Sequence, residues 1–129
     1  MALKTILIDA VDTFVIEGQG VFEEMHALLE TYPNHKIIVT NANDEQFIEF
    51  GLDRMPYEVF TLKHNPDKPD PVYFTILLAH LGLVAGDVVY FEHNPAAIES
   101  ARSVGIVSYH YNHEQKDLGA LKEWLDASI

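Results

Sequence analysis

The chain has 129 residues, 48% of them apolar, and a formal net charge of −12, which is one domain's worth of sequence with enough apolar surface to fold alone. Its 8 Lys and Arg are scattered among 20 Asp and Glu, so the clustered cations that bind nucleic acid or anionic membranes are absent. The lack of cysteine excludes a disulfide framework and any thiolate metal site.

The opening residues "MALKTILIDA" run straight into an apolar strand pattern with no signal-peptide cleavage site, and no apolar run approaches membrane-spanning length. The expectation is a soluble, cytoplasmic protein forming a single domain over residues 1–129. Strand-like and helix-like segments then alternate. "KTILID" is followed by "VFEEMHALLETY", "KIIVT", "NDEQFIEFGL", "YEVFTL", "PDPVYFTILLAHLGL", "DVVYFE", "PAAIESARSVG", "IVSYHY" and "LGALKEWLDAS". That alternation predicts an α/β domain, a doubly wound parallel sheet with helices on both faces. The unbroken apolar character of "TILI", "KIIVT" and "VVYF" agrees, because such strands are buried on both sides. Asp70 before Pro71, and Asn94 before Pro95, read as helix caps. Gly51, Gly82 and Gly105 stand where helices should stop.

In open parallel sheets ligands sit beyond the carboxyl ends of the strands. The first strand ends in Asp9, the second in Thr40 and Asn41, and the fourth in Glu92 and His93, while Lys68 lies in a Pro-rich loop before a helix. Singly, each has a commoner reading: a turn cap, a β-branched strand residue, a solvated lysine. Together they offer two carboxylates, a hydroxyl with an amide, and a cation. This set suits a phosphoryl group held beside a hard divalent metal.

The order and spacing resemble the haloacid dehalogenase superfamily, with its hhhDxDGT motif, a hydrophobic strand ending in Ser or Thr, a Lys, and an acidic motif. Asp9 with Thr13, "IIVTN" with Thr40, "KPDPVYFTILLAHLGL" with Lys68, and "VVYFEHNPAAIESARSVGI" correspond to the four in turn, over nearly the whole chain. The resemblance implies a Rossmann-like fold and a phosphohydrolase. Asp9 would become an aspartyl-phosphate, with its other oxygen and the Val11 carbonyl on Mg²⁺, and Glu92 and His93 at the metal's remaining side. Thr40, Asn41 and Lys68 would hold the transferring phosphoryl.

Two positions depart from the family pattern. Its phosphatases carry a second Asp two residues after the nucleophile, as acid and then base, where this chain has Val11. Loss of such assistance typically costs about 10² to 10⁴ in rate. His93 stands where many relatives have a second acidic residue, which removes a negative charge from the metal site and implies weak Mg²⁺ binding. The expectation is therefore a weak Mg²⁺-dependent phosphohydrolase, with a phosphate-binding pseudoenzyme or an interaction module as the alternative. A receiver-like signalling domain shares the Asp, Thr and Lys, but its Lys comes last in the chain, whereas Lys68 precedes Glu92.

Other residues have plainer readings. Asp12, at the family's usual Gly, reads as a turn residue before it reads as a replacement acid. His110 and His113 in "HYNH" read as an exposed loop before a zinc site. Trp124 shares a helix face with Leu121 and Leu125 and reads as core. No inserted cap fits between Asp9 and Thr40 or between Thr40 and Lys68, and "FVIEGQGVF" reads as a flap freed by Gly18 and Gly20. Capless relatives act on large substrates or borrow a lid from a partner subunit. A phosphorylated substrate of macromolecular size, or a homodimer, is the corresponding expectation.

Overall fold

The computed structural model describes residues 3–129. Strand β1 (Thr5–Asp9) leads through a tight loop into a hairpin of β2 (Val15–Ile16) and β3 (Gly20–Val21), then helix α1 (Glu23–Leu29). Next come β4 (Lys36–Thr40), α2 (Asp44–Glu49), β5 (Glu58–Thr61), α3 (Pro71–Leu81), β6 (Val88–Glu92), α4 (Pro95–Ser103), β7 (Val107–His110) and α5 (Leu118–Ser128). The hairpin falls within the stretch read as a flap. No helix among the described residues is long and apolar enough to cross a membrane.

The main sheet has five strands in the order β5-β4-β1-β6-β7, with every pairing parallel. Counted along the sheet alone, this is the order 3-2-1-4-5. The chain builds outward from β1 on one side and then crosses to the other. A receiver-like domain has the flavodoxin order 2-1-3-4-5, so topology as well as motif order sets this chain apart from it.

Side-chain alternation sorts the core into two layers. Ile6 and Ile8 of β1, with Val89 and Phe91 of β6, pack with Met25, Leu29, Leu121 and Leu125 from α1 and α5. Leu7 of β1, with Val88 and Tyr90 of β6, packs with Tyr73, Phe74, Leu77 and Ile98 from α3 and α4. The three central strands are buried at every residue, while edge strands β5 and β7 are only partly covered. A doubly wound sheet requires this, because helices cover both of its faces.

The helix boundaries follow the cap chemistry. The Asp70 carboxylate accepts from the Val72 N–H at 3.0 Å, and the Asn94 side chain from the Ala96 N–H at 2.9 Å. Gly82 closes α3 at φ 67, in the left-handed region that glycine tolerates best. Two segments are shorter than their patterns predict. Pro33 disfavours helical backbone at Tyr32, so "VFEEMHALLETY" is helical only to Leu29. "NDEQFIEFGL" breaks at Gly51, φ 69, and resumes as a 3₁₀ turn over Leu52–Arg54. Trp124 packs against the core beside the buried Leu121 and Leu125, but its indole is only half-buried and stacks on Tyr109 with ring centroids 5.3 Å apart.

Because neighbouring residues of β1 serve opposite layers, Leu7→Ala and Ile8→Ala should each lower stability by about 2–5 kcal/mol. Urea unfolding of the two variants checks it; a small loss in either one would mean that one face of the sheet is open.

Candidate active site

The register brings the strand ends level. Asp9 lies beside Val39 and Ile8 beside Phe91, so the carboxyl ends of β1, β4 and β6 open on one rim. A cavity of about 180 Å³ lies there, lined by Asp9, Val11, Thr40, Asn41, Lys68, Glu92 and His93 among others. All seven residues expected at the site are thus brought together. β1 is the strand with the chain's crossover on either side, where a parallel sheet leaves a crevice.

At its centre is a buried ion triad. The Lys68 Nζ lies 2.6 Å from Asp9 Oδ1 and 2.6 Å from Glu92 Oε1, with all three side chains nearly inaccessible. Burial alone would raise the Asp9 carboxyl, but the Lys68 charge and the His93 hydrogen bond outweigh it and hold the group well below the usual carboxylate range. For Lys68, burial pulls down and the two carboxylates push up, leaving the ammonium more firmly protonated than an ordinary lysine. Glu92 is pushed up by burial and by the charge of Asp9, with Lys68 opposing.

The donors around the carboxylates can be counted. Asp9 Oδ2 accepts from the Thr13 hydroxyl at 2.7 Å and faces His93 Nδ1 at 2.5 Å, whereas among the described residues Oδ1 receives Lys68 alone. Each carboxylate oxygen offers about two acceptor directions, so Oδ2 is filled and Oδ1 keeps one free. Glu92 is more heavily engaged. Its Oε1 takes the Tyr90 hydroxyl and Lys68, and its Oε2 takes the backbone N–H groups of His93 and Asn94. His93 also lies 3.2 Å from Glu92 Oε2. Its hydrogen bonds to Asp9 and Glu92 push the imidazole up to about 10, so it is an imidazolium at neutral pH.

Local structure explains the placement. Thr13 reaches back to Asp9 because the loop after β1 turns at once, with the Phe14 N–H bonded to the Asp9 carbonyl at 3.2 Å and Asp12 at φ 71. Asp12 is exposed and serves that turn: its backbone N–H donates to the Val15 carbonyl at 2.8 Å, and its carboxylate stands 3.9 Å from His93 Nε2. Val11 is half-buried, packs against the core and lines the cavity with an apolar side chain. The Asn41 side-chain oxygen accepts from the Lys68 backbone N–H at 2.8 Å and so fixes the loop that delivers the lysine. From α3, the Tyr73 hydroxyl donates to the Thr40 carbonyl at 2.7 Å, tying the Lys68 helix to the end of β4.

Tyr90, Tyr73, Gln46 and Phe50 were not picked out by sequence. Tyr90 had a readable signal, since residues two apart on a strand share a face and Glu92 needed a buried donor. Gln46 and Phe50 had none, because they reach the cavity from α2 and its end, away from the strand rim. His110 is exposed and bonds to the His93 carbonyl at 2.9 Å, and His113 packs its ring on His93 at 4.9 Å. Among the described residues, the His/Asp/Glu group with metal-site spacing is Asp9, Glu92 and His93, one donor atom from each lying within 4.8 Å of the others.

Replacing Lys68 should expose the cost of this burial. In Lys68→Met, Glu92 loses the buried ammonium and keeps only the part-buried His93, and removing one partner of a buried ion set typically costs about 3–5 kcal/mol. The fall of stability with rising pH should also begin at a lower pH. In the parent, His93, held up to about 10, contributes stability that is lost as pH rises above the ordinary histidine value, while the depressed Asp9 contributes stability lost only in strong acid. In the variant, Glu92 sits further above its unfolded value, so stability should be greatest in mild acid and fall as pH rises through neutrality. Thermal melts between pH 5 and 8 check both.

No family model matches the sequence, and no curated protein matches it. Solved structures do. A haloacid dehalogenase (HAD) family enzyme from Bacteroides thetaiotaomicron, as its magnesium complex, superposes with a TM-score of 0.72 at 12% identity, over 94% of this chain and 98% of that one. A mutant of that enzyme in complex with magnesium and inorganic phosphate gives 0.64 at 10% identity, over 84% and 94%. A HAD-superfamily hydrolase of subfamily IA from Geobacter sulfurreducens PCA gives 0.61 at 14% identity, over 91% and 100%. The rim that carries Asp9, Thr40, Lys68 and Glu92 is therefore the carboxyl edge of a haloacid dehalogenase-like fold, in a form without a cap.

Proposed function

We propose that this cavity binds a phosphoryl group and that Asp9 attacks it, making the protein a phosphohydrolase whose turnover is slow for want of a proton donor. The observation that carries this reading is the asymmetry of Asp9. Its Oδ2 is filled by Thr13 and His93, while Oδ1 keeps an acceptor direction open at a cavity that also presents Thr40 and Lys68. Oδ1 is the nucleophile in this account. Lys68, giving up its long 3.3 Å bond to the Val39 carbonyl, and the Thr40 hydroxyl take the phosphoryl oxygens, and the P–O bond to the leaving group breaks as the bond to Oδ1 forms. The leaving oxygen then needs a proton, and Val11 has none to give. A cavity of about 180 Å³ accepts the phosphoryl group and a few atoms beyond it, so the bulk of a macromolecular substrate would lie outside the rim.

The residues present can hold Mg²⁺, but poorly. The spacing of Asp9, Glu92 and His93 suits a metal, and the Val11 carbonyl would add a hard oxygen. When bound, the ion would supply charge neutralisation at the phosphoryl oxygens. Against this, Glu92 is engaged on both oxygens, and the oxygen of Asp9 that faces away from Lys68 already holds the His93 imidazolium. A cation must displace that contact. Magnesium should therefore bind weakly to the parent and at least tenfold more tightly to His93→Asp, where a carboxylate replaces the imidazole. Isothermal calorimetry of both proteins checks this, and equal affinities would place His93 away from the metal.

The saturated Asp9 Oδ2 and the apolar Val11 also favour a second reading, a phosphate-binding protein that never turns over. Kinetics separate the two. The parent should hydrolyse aryl phosphates slowly and alkyl phosphates more slowly still, because alkoxide leaving groups depend most on protonation. Val11→Asp should raise alkyl-phosphate hydrolysis by about tenfold or more, a conservative share of the usual general-acid contribution. Adding Asp9→Asn should abolish the gain, since an amide is no nucleophile. Brisk alkyl-phosphate turnover by the parent would contradict the role given to Val11; tight phosphate binding with no turnover by any of the three would establish the second reading.

A further inference from the structure

Helix α3 is the one helix whose outward face carries no acid and no base. From Pro71 to Gly86 the chain has no Asp, Glu, Lys or Arg, in a protein where 22% of residues are charged. The other long helices turn charge to solvent: Glu23 and Glu24 on α1, Glu99 and Arg102 on α4, and Lys122 and Glu123 on α5 are exposed. Inward, α3 buries Tyr73, Phe74 and Leu77 in the core. Outward, Val72 and Ile76 stand 51% and 38% exposed, beside the exposed Thr75 and Ala79. Positions 72, 75, 76 and 79 follow the i, i+3, i+4, i+7 rule, so the four form a single stripe on the side away from the core. The Thr75 hydroxyl is engaged within the helix, donating back to the Pro71 carbonyl at 3.4 Å. A helix apolar on every side belongs in an interior, and nothing among the described residues covers this side.

The charge of the chain selects what can cover it. At −12, the protein draws a cationic partner to its acidic faces, and an uncharged stripe gives such a partner nothing to hold. A second copy is the reverse case. It brings another −12, so two chains can meet closely only where neither presents charge, and this stripe meets that condition. The stripe also matches itself. About a two-fold axis between Thr75 and Ile76, antiparallel helices bring Ile76 against Thr75 and Val72 against Ala79, a large side chain beside a small one at each step. Parallel pairing would set large on large. The extent of the stripe fixes the strength: a helix of 11 residues is about 16 Å long, so the seam falls short of the roughly 800 Å² per partner of a standard interface. Such a dimer is weak and reversible.

We propose that two copies of this chain pair through α3, antiparallel, along Val72, Thr75, Ile76 and Ala79. Helix α3 starts at the rim, shortly after Lys68, and runs back along the parallel sheet, so this pairing puts the two Asp9 cavities at opposite ends of the dimer. Neither copy lids the other, and both cavities stay open to a large substrate. Sedimentation from about 5 to 500 µM should show a monomer passing into a dimer, and added salt should strengthen association by screening the repulsion between two acidic chains. Ile76→Glu, which places a charge on the axis, should stay monomeric throughout and keep the parent's urea midpoint. Because the chain lacks Cys, single cysteines report the register. Val72→Cys and Ala79→Cys chains, mixed under mild oxidation, should form a disulfide-linked dimer. Each alone should not, since like positions lie about 10 Å apart along the helix axis, beyond the reach of a disulfide. This pair adds no charge and decides the register even if Ile76→Glu fails to fold. A monomer at about 500 µM, a dimer weakened by salt, a dimer that survives in Ile76→Glu, or cysteine chains that link no better mixed than alone would overturn the proposal.

Discussion

The ammonium of Lys68, enclosed between Asp9 and Glu92, is the contact around which this rim is organised. A buried charge is tolerated only when it is paired and hydrogen-bonded, and here each member is the condition for burying the other two. That requirement reaches into the fold. It needs β1 and β6 to be neighbours so that their terminal carboxylates converge, and it needs α3 to begin close to the end of β4. The Asn41 bond to the Lys68 backbone and the Tyr73 bond to the Thr40 carbonyl meet the second need. Neither touches a charge, yet without them the lysine would lie on a free loop.

The same triad governs what the site can bind. Two anions, Asp9 and Glu92, face two cations, Lys68 and the His93 imidazolium, so the cluster is balanced before any ligand arrives. A site with a carboxylate in place of His93 would carry excess negative charge and draw in a divalent cation to offset it. Here the protein supplies that positive charge from its own chain. The cost lies in mobility of charge, because an ion held in solution can enter and leave with the substrate, while an imidazole on a packed loop cannot. His113 against the ring and the His110 bond to the His93 carbonyl hold the imidazole further in place.

Much of this could be read from the sequence because strand ends are legible. Apolar runs end abruptly at Asp9, Thr40 and Glu92, and the alternation of strand and helix forces those ends to one edge. Lys68 was legible for a different reason: it precedes a strong helix start, Asp70 with Pro71, which fixes where the loop must return. What remained hidden depends on tertiary approach. Asn41 reads as a phosphate ligand, and nothing in the pattern shows that its oxygen also holds the Lys68 backbone. The helix stop at Gly51 was legible as a glycine after a periodic segment, but the 3₁₀ turn beyond it was not, and Trp124 carries the periodicity of core while stacking at the partly covered β7 edge. Periodicity reports a face, not the depth of what covers it.

Without a cap, the walls of the cavity must come from the loops of the core itself, and those loops divide by position in the sheet. The three central strands β4, β1 and β6 are buried at every residue, so their ends are rigid and suited to holding Asp9, Thr40 and Glu92 in fixed geometry. The next wall outward is made by α2, a helix of 6 residues with none fully buried, and by the loop after β5. The loop after β5 carries both kinds of residue. His64, with Gln46 and Phe50 from α2, keeps more exposed surroundings, where substitution disturbs less of the core, whereas Lys68, further along the same loop, is drawn into the buried triad and pinned through its backbone by Asn41. Position in the sheet alone therefore does not set rigidity at this rim: a residue of an outer loop joins its fixed centre when a buried ion pair holds it there.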